Sequence, residues 1–83
     1  MVLDIEWSEE ARADIRRLDK ATALRIFDTL LRFARTGEGD IKQLKGELAG
    51  KLRLRCGDYR LILSQAGETL RIHTVRYRKD AYR

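Results

Sequence analysis

Two patterns in this 83-residue chain predict an α+β fold, in which an N-terminal strand and a helical hairpin precede a three-strand antiparallel meander. From Lys51 to Cys56 cations alternate with hydrophobic residues, and the alternation resumes after Gly57-Asp58. A period of two is typical of strands with unlike faces. Upstream, hydrophobic residues recur at helical spacing. The chain lacks proline and any linker-like stretch, so we expect one domain spanning residues 1–83.

The first element is predicted to be a strand over Val2–Trp7, because hydrophobic residues alternate there with acidic ones. Ser8 is a suitable N-cap for a first helix, and two glutamates follow where the helix dipole favours anions. A narrow apolar stripe at i, i+4 and i+7 is formed by Ala11, Ile15 and Leu18.

A second helix is expected to begin after Asp19, which can cap it, and to end before Gly37. Its predicted apolar face consists of Leu24, Phe27, Leu30, Leu31 and Ala34. Residues 38–50 contain three glycines and are predicted to be irregular, with a turn near residues 41–44. The two helices should form a hairpin against one face of the sheet.

The meander is predicted to consist of strands at about 51–56, 59–65 and 69–76. If Gly57-Asp58 is a two-residue loop, Arg55 lies opposite Arg60 and Leu54 opposite Leu61. Both strands then place their hydrophobic residues on the same face, which supports this register.

For the second hairpin, a loop at Ala66-Gly67 would place Leu63 opposite Leu70 and Leu61 opposite Ile72. In that register His73 lies opposite Arg60. A longer loop would change the pairing.

Charge is distributed unevenly along the chain. Residues 1–41 carry seven cations and nine anions, a net charge of −2, whereas residues 42–83 carry eleven cations and four anions, a net charge of +7. The predicted register gathers Lys51, Arg53, Arg55 and Arg60 on one side of the sheet, which we call the cationic face. Like charges opposite each other destabilise a strand pair, so this crowding indicates a polyanionic partner more strongly than a merely solvated surface.

Several classes of site are not indicated. The single cysteine permits no internal disulfide, and no metal-ligand spacing or glycine-rich phosphate loop is present, so we expect no cofactor. No apolar run is long enough for a membrane span or signal peptide, which favours the cytoplasm. Cys56, Trp7 and Tyr59 are interpreted as core residues. For His73 we favour a role as an ordinary strand residue over a catalytic role.

Four segments together resemble the RelE/ParE superfamily of toxins from bacterial and archaeal toxin–antitoxin operons. They are Leu44-Lys45-Gly46, residues 51–55 (KLRLR), residues 57–62 (GDYRLI) and residues 75–82 (VRYRKDAY). The opening strand that ends in Trp7-Ser8 and the helical hairpin also resemble that family. The resemblance extends over essentially the whole chain and favours the RelE branch, whose members cut mRNA in the ribosomal A site.

The resemblance implies a metal-independent endoribonuclease that inhibits translation. It implies catalytic roles for Lys51, Arg53, Arg60, Arg78 and Tyr82. Cations at Lys45, Arg55, Arg71, Arg76 and Lys79 are expected to bind RNA. It also implies mRNA and the ribosome as partners, and a cognate antitoxin with which the chain would form a hetero-oligomer.

The chain departs from the family pattern at two positions. Arg53 stands where some members have lysine, and because arginine does not release its proton, an acid–base role there is in doubt. Tyr77 stands where many relatives carry histidine. Tyr82 could stack on a base or abstract a proton, but from its position alone it could equally be an aromatic residue of a frayed C-terminal tail without a function.

Two other functions stay open from the sequence. One is a ParE-like toxin that poisons DNA gyrase, and the other is a non-catalytic RNA-binding module. The joint presence of the five expected catalytic residues favours the nuclease over the gyrase poison. An RNA-binding module differs from the nuclease in its response to alanine at Lys51 or Arg78, which would weaken binding in the module but abolish cleavage with binding largely kept in the nuclease.

Overall fold

The computed structural model describes residues 2–78 and places two helices on one face of a five-stranded sheet. In chain order the elements are β1 (Asp4–Trp7), α1 (Glu9–Arg16), α2 (Lys20–Thr36), β2 (Asp40–Gln43), a 3₁₀ turn (Gly46–Leu48), β3 (Leu52–Cys56), β4 (Tyr59–Ala66) and β5 (Thr69–Tyr77). The sheet order is β1-β5-β4-β3-β2, with β1 parallel to β5 and the other neighbours antiparallel. The α+β prediction is therefore confirmed. No helix in the described part of the chain is long and apolar enough to span a membrane.

Both predicted helix caps are present. The Ser8 hydroxyl accepts a hydrogen bond from the Ala11 amide at 3.0 Å, and the Asp19 side chain accepts one from the Thr22 amide. Gly37 ends α2 in the left-handed conformation with φ 77°. Glycine adopts this conformation with little steric strain because it has no Cβ atom. The sequence signals at the helix ends thus correctly located both helices.

The core lies between the helices and the sheet, and its α2 contribution differs from the prediction. Leu30 and Ala34 are buried as expected, but Leu24 and Leu31 are 51% and 45% exposed. Ile26 and Phe33 are buried instead. The buried face of α2 therefore consists of residues 26, 30, 33 and 34, which recur at helical spacing. This face is rotated about the helix axis relative to the predicted apolar stripe.

The segment at residues 38–50 contains a strand that the sequence did not predict. Asp40 pairs with Arg55 and Ile41 pairs with Leu54, which places β2 at the edge of the sheet. Only Ile41 of its four residues is even half-buried. A strand this short and polar has too little hydrophobic alternation to be visible in the sequence.

The first hairpin has the predicted register, with Arg55 opposite Arg60 and Leu54 opposite Leu61. The second was predicted incorrectly. Ala66 pairs with Thr69 across a Gly67-Glu68 turn, and a β-bulge shifts the pairing between Ile62 and Leu63.

His73 is the extra residue of this bulge, since Leu63 pairs with Ile72 and Ile62 with Thr74. The bulge keeps both Ile72 and Val75 in the core although they are three residues apart. As a consequence Arg60 lies opposite Arg76, not opposite His73 as the sequence suggested.

Helix α1 covers the part of β5 that β1 does not reach. β1 pairs only with residues 69–72, and beyond them the Val75 amide donates a hydrogen bond of 2.9 Å to Asp14 Oδ2. Asp14 is 4% exposed and also forms ion pairs with Arg17 and Arg76. This buried carboxylate therefore fastens α1 to the sheet edge where strand pairing ends.

Candidate nucleic-acid interface

The cationic face is the sheet surface opposite the helices, and it continues onto β5. It carries Lys51, Arg53 and Arg55 at β3, Arg60 on β4, and Arg71 and Arg76 on β5. Successive strand residues alternate between the two faces of the sheet, so the hydrophobic residues that lie between these cations along each strand point into the core. The face separates into cations that have an acidic partner inside the protein and cations that have none.

Arg55 and Arg60 belong to the second group. They lie directly opposite each other, and both donate hydrogen bonds to the Gly57 carbonyl, Arg55 from Nε at 3.4 Å and Arg60 from Nη1 at 3.2 Å. Within residues 2–78 neither forms an ion pair with a carboxylate. A carbonyl orients a guanidinium without neutralising it, so this turn presents two adjacent positive charges to an external anion.

Arg78 is held at the same end of the sheet. Its amide donates to the Asp58 carbonyl at 2.8 Å, its guanidinium lies 6.0 Å from the centre of the Tyr77 ring, and its Nη1 is 3.9 Å from the exposed Asp58 carboxylate. The backbone contact ties Arg78 to the turn that precedes Arg60. The structure thus brings together Arg60 and Arg78, two of the expected catalytic residues.

Arg53, another expected catalytic cation, is largely enclosed. Its Nη2 donates to Asp40 Oδ1 at 3.0 Å, and only 17% of its side chain is exposed. Its Nε is buried and lacks a hydrogen-bond partner in the described structure. Arg53 pairs with Ile62, which is 4% exposed although it lies on this face. Strand β2, unseen in the sequence, therefore supplies the carboxylate that positions Arg53.

Two expected RNA-binding cations are paired within the fold. Arg71 forms an ion pair with Glu6 of β1, and Arg76 forms ion pairs with Glu10 and Asp14 of α1. These contacts join elements that are distant in sequence and offset the charge of both arginines. Arg71 and Arg76 consequently attract an external anion less strongly than Arg55 and Arg60 do.

Lys51 lies at the far end of the face, one position before β3. It is half-buried and also lines a shallow pocket of about 190 Å³ beside Gly50. Lys45 is exposed at the start of the 3₁₀ turn and lies outside the strands of the face. Lys79 and Tyr82 lie outside the described residues.

The sequence assigned no role to one polar pair on this face. Ser64 Oγ and His73 Nε2 share a hydrogen bond of 2.8 Å. Burial, followed by the positive charges of Lys51 and Arg71, lowers the pKa of His73 below its usual value. Ser64 lies on this face because side chains alternate along β4, but the bulge that brings His73 beside it leaves no sequence signal. Within residues 2–78 no group of three or more potential metal ligands is present.

The sequence and the fold match a known class of protein. The family model for the ParE toxin of type II toxin–antitoxin systems matches residues 5–82, and the chain belongs to this family. It is a RelE/ParE superfamily toxin, as the sequence resemblance indicated.

Solved structures of toxin complexes share the fold. The RelBE2 toxin–antitoxin complex from Mycobacterium tuberculosis contains a chain that is 25% identical, with a TM-score of 0.84, and the match covers 94% of this chain and 100% of that one. A heterotetrameric YoeB–YefM complex from Staphylococcus aureus matches at 25% identity and a TM-score of 0.76, covering 93% and 98%. The archaeal RelE–RelB complex from Pyrococcus horikoshii OT3 is similar in fold, at 22% identity and a TM-score of 0.79, covering 98% and 100%. No curated protein matches the chain by sequence.

Proposed function

We propose that this toxin is a ribosome-dependent mRNA endoribonuclease that works without a metal ion and thereby inhibits translation. The observation that carries the proposal is the cluster at one end of the cationic face, where Arg55, Arg60 and Arg78 surround the Gly57-Asp58 turn. Two of these arginines have no acidic partner among the described residues, and the third faces an exposed carboxylate at 3.9 Å. Such a site favours the binding of a phosphodiester, whose oxygens would replace these weak contacts within the protein.

The chemistry assigned to the cluster is charge stabilisation. When the 2′-oxygen of RNA attacks the adjacent phosphate, negative charge accumulates on the phosphoryl oxygens. A guanidinium fork can bind two of these oxygens, and we assign this role to Arg60. We assign to Arg78 the support of the leaving 5′-oxygen. Arg53, fixed by Asp40, and Lys51 add positive charge further along the strand. Tyr82 remains a proposed stacking or proton-accepting residue.

A cognate antitoxin is the proposed protein partner. The structures of RelBE2 from M. tuberculosis and of YoeB–YefM from S. aureus are complexes of a toxin with its antitoxin. An antitoxin segment that carries acidic residues could cover the unpaired arginines of the cationic face and so prevent access of RNA. We place this hetero-oligomer, and the one-domain toxin itself, in the cytoplasm, where ribosomes and mRNA are found.

Inhibition of DNA gyrase is the second candidate, because the matching family model is named for ParE. A gyrase poison needs a protein-binding surface but does not need the guanidinium cluster around the turn. The two functions therefore differ in whether the cationic face acts on RNA.

We expect the purified toxin to cut mRNA on translating ribosomes at codon-phased positions, detected by primer extension, and to leave gyrase supercoiling unaffected at the same concentration. The cuts should disappear when excess antitoxin from the same operon is added. Inhibition of supercoiling without any cut would favour the gyrase function. Tight RNA binding with neither effect would indicate a non-catalytic RNA-binding module.

A further inference from the structure

The edge strand β2 adds one more cation, Lys42, to the cationic face. Ile41 packs against the core and pairs with Leu54, so its two neighbours, Asp40 and Lys42, have their side chains on the opposite face of the sheet. The ion pair between Asp40 and Arg53 agrees with this placement, because Arg53 lies on the cationic face. Lys42 therefore shares that face with one of the expected catalytic arginines.

Lys42 is the direct cross-strand partner of Arg53. Arg53 in turn lies opposite Ile62, so these three residues form one row across β2, β3 and β4. Within this row Arg53 is largely enclosed and Ile62 is buried, whereas Lys42 is exposed. Of the three side chains, that of Lys42 is thus the most accessible to an external ligand.

The charge of Lys42 is also uncompensated. Asp40, two residues before it on the same face, pairs instead with Arg53. Within residues 2–78 Lys42 forms no ion pair. Because Asp40 offsets the charge of Arg53, the free positive charge of this row resides mainly on the ammonium group of Lys42.

An exposed lysine on an edge strand also discourages another chain from adding a strand there. That role alone does not explain the sign of the charge at position 42. An acidic residue would also place a charge on the edge and would attract Arg53, whereas lysine places like charges opposite each other at a cost in stability. Arg55 and Arg60 form a second like-charged pair in the neighbouring row. Two such rows side by side indicate an external anion that compensates them.

We propose that Lys42 is a further RNA-binding residue, whose ammonium group holds a backbone phosphate of the substrate over β2 and β3. The row of Lys42 and Arg53 lies two residues from the row of Arg55 and Arg60, about 7 Å along the strands. A lysine binds phosphate as a flexible point charge, which suits a strand at the sheet edge. Lys42 thereby holds the RNA beside the arginines of the turn. This inference rests on the proposed function in taking RNA as the ligand.

The affinity of the toxin for an RNA that cannot be cleaved tests this contact. We would measure binding of a 2′-O-methyl RNA octamer to the full-length toxin by fluorescence anisotropy over a series of salt concentrations. Each phosphate contact with a single strand contributes about −0.7 to the slope of log K against the logarithm of the salt concentration. Lys42→Gln should therefore make this slope less steep by about 0.7 and weaken binding about three- to tenfold at physiological salt.

Lys20→Gln is the matched control, because it removes the same charge from an exposed position at the start of α2, on the other side of the sheet. Its affinity and its salt slope should equal those of wild type. Lys42→Arg keeps the charge and should retain the wild-type slope. In urea unfolding, Lys42→Gln should be at least as stable as wild type, because it removes the like charge opposite Arg53.

Equal slopes for Lys42→Gln and Lys20→Gln would overturn the proposal, as would a slope for Lys42→Arg that matches the one for Lys42→Gln. A Lys42→Gln variant that binds the octamer normally but binds the antitoxin less tightly would overturn it as well, and would assign Lys42 to the protein partner.

Because the octamer is not cut, these results are independent of ribosomal cleavage. A toxin that cleaves mRNA, but whose Lys42→Gln variant binds the octamer like Lys20→Gln, would refute the Lys42 contact alone. An octamer affinity that depends on Lys42 in a protein without cleavage would refute the nuclease function alone.

Discussion

Arg60→Ala/Arg78→Ala is expected to lower single-turnover cleavage of ribosome-bound mRNA by at least about a hundredfold to a thousandfold, the usual effect of removing one preorganised donor to a developing oxyanion. Both guanidiniums lie at the Gly57-Asp58 turn, and neither is required to pair a buried carboxylate. The loss should therefore appear in the chemical step, with little change in stability. The rate of loss of full-length mRNA at saturating toxin measures it.

Arg32→Ala/Arg35→Ala is the matched control. It removes the same charge from exposed positions at the end of α2, outside the sheet. We expect this variant to cleave within about threefold of wild type, because distant exposed charges are screened by salt. Equal losses in the two double variants would mean that net charge, not the cluster at the turn, accounts for activity.

Asp14→Ala is expected to destabilise the fold by about 2–4 kcal/mol. The substitution leaves the Val75 amide without its acceptor and removes the buried partner of Arg17 and Arg76. For a chain of this size such a loss lowers the melting temperature by more than about 10 °C. Urea unfolding followed by circular dichroism gives the free energy directly.

Asp28→Ala provides the charge-matched control, since Asp28 is an exposed acid on α2 and forms no ion pair in the described structure. Its unfolding free energy should change by less than about 0.5 kcal/mol. Asp14→Asn should fall between the two, because the amide oxygen can still accept from Val75 while the ion pairs are lost. If Asp14→Ala unfolds like Asp28→Ala, the edge of β5 is not fastened by α1.

The hairpin from Lys51 to Arg60 was predictable because two independent patterns agree. The alternation fixes which residues share a face, and the Gly57-Asp58 loop fixes the register between the strands. The second hairpin has the same kind of alternation, but it contains a bulge. A bulge at His73 changes the spacing of buried residues from two to three, which a search for strict alternation cannot detect.

The cations of the site were predictable, but their partners were not. Local sequence placed Arg53 and Arg60 on one face, whereas the difference between them depends on contacts with other elements. Asp40 reaches Arg53 only because the short polar strand β2 joins the sheet edge. Glu6 and Glu10 reach Arg71 and Arg76 across more than sixty residues of chain. Which arginines are left without an acidic partner in the described structure is thus a tertiary property.

The chemistry of the cut ends tests the central claim most directly, namely that the cationic face cleaves mRNA by attack of the 2′-oxygen without a metal ion. Toxin and ribosome-bound mRNA would be incubated with the ribosomal Mg²⁺ retained, and the fragments analysed by mass spectrometry. A parallel reaction would contain mRNA with a 2′-deoxynucleotide immediately 5′ of the cut. We predict a 2′,3′-cyclic phosphate on the upstream fragment and no cleavage of the deoxy-substituted mRNA. A 3′-hydroxyl with a 5′-phosphate on the downstream fragment, or normal cleavage of the deoxy-substituted mRNA, would contradict this mechanism.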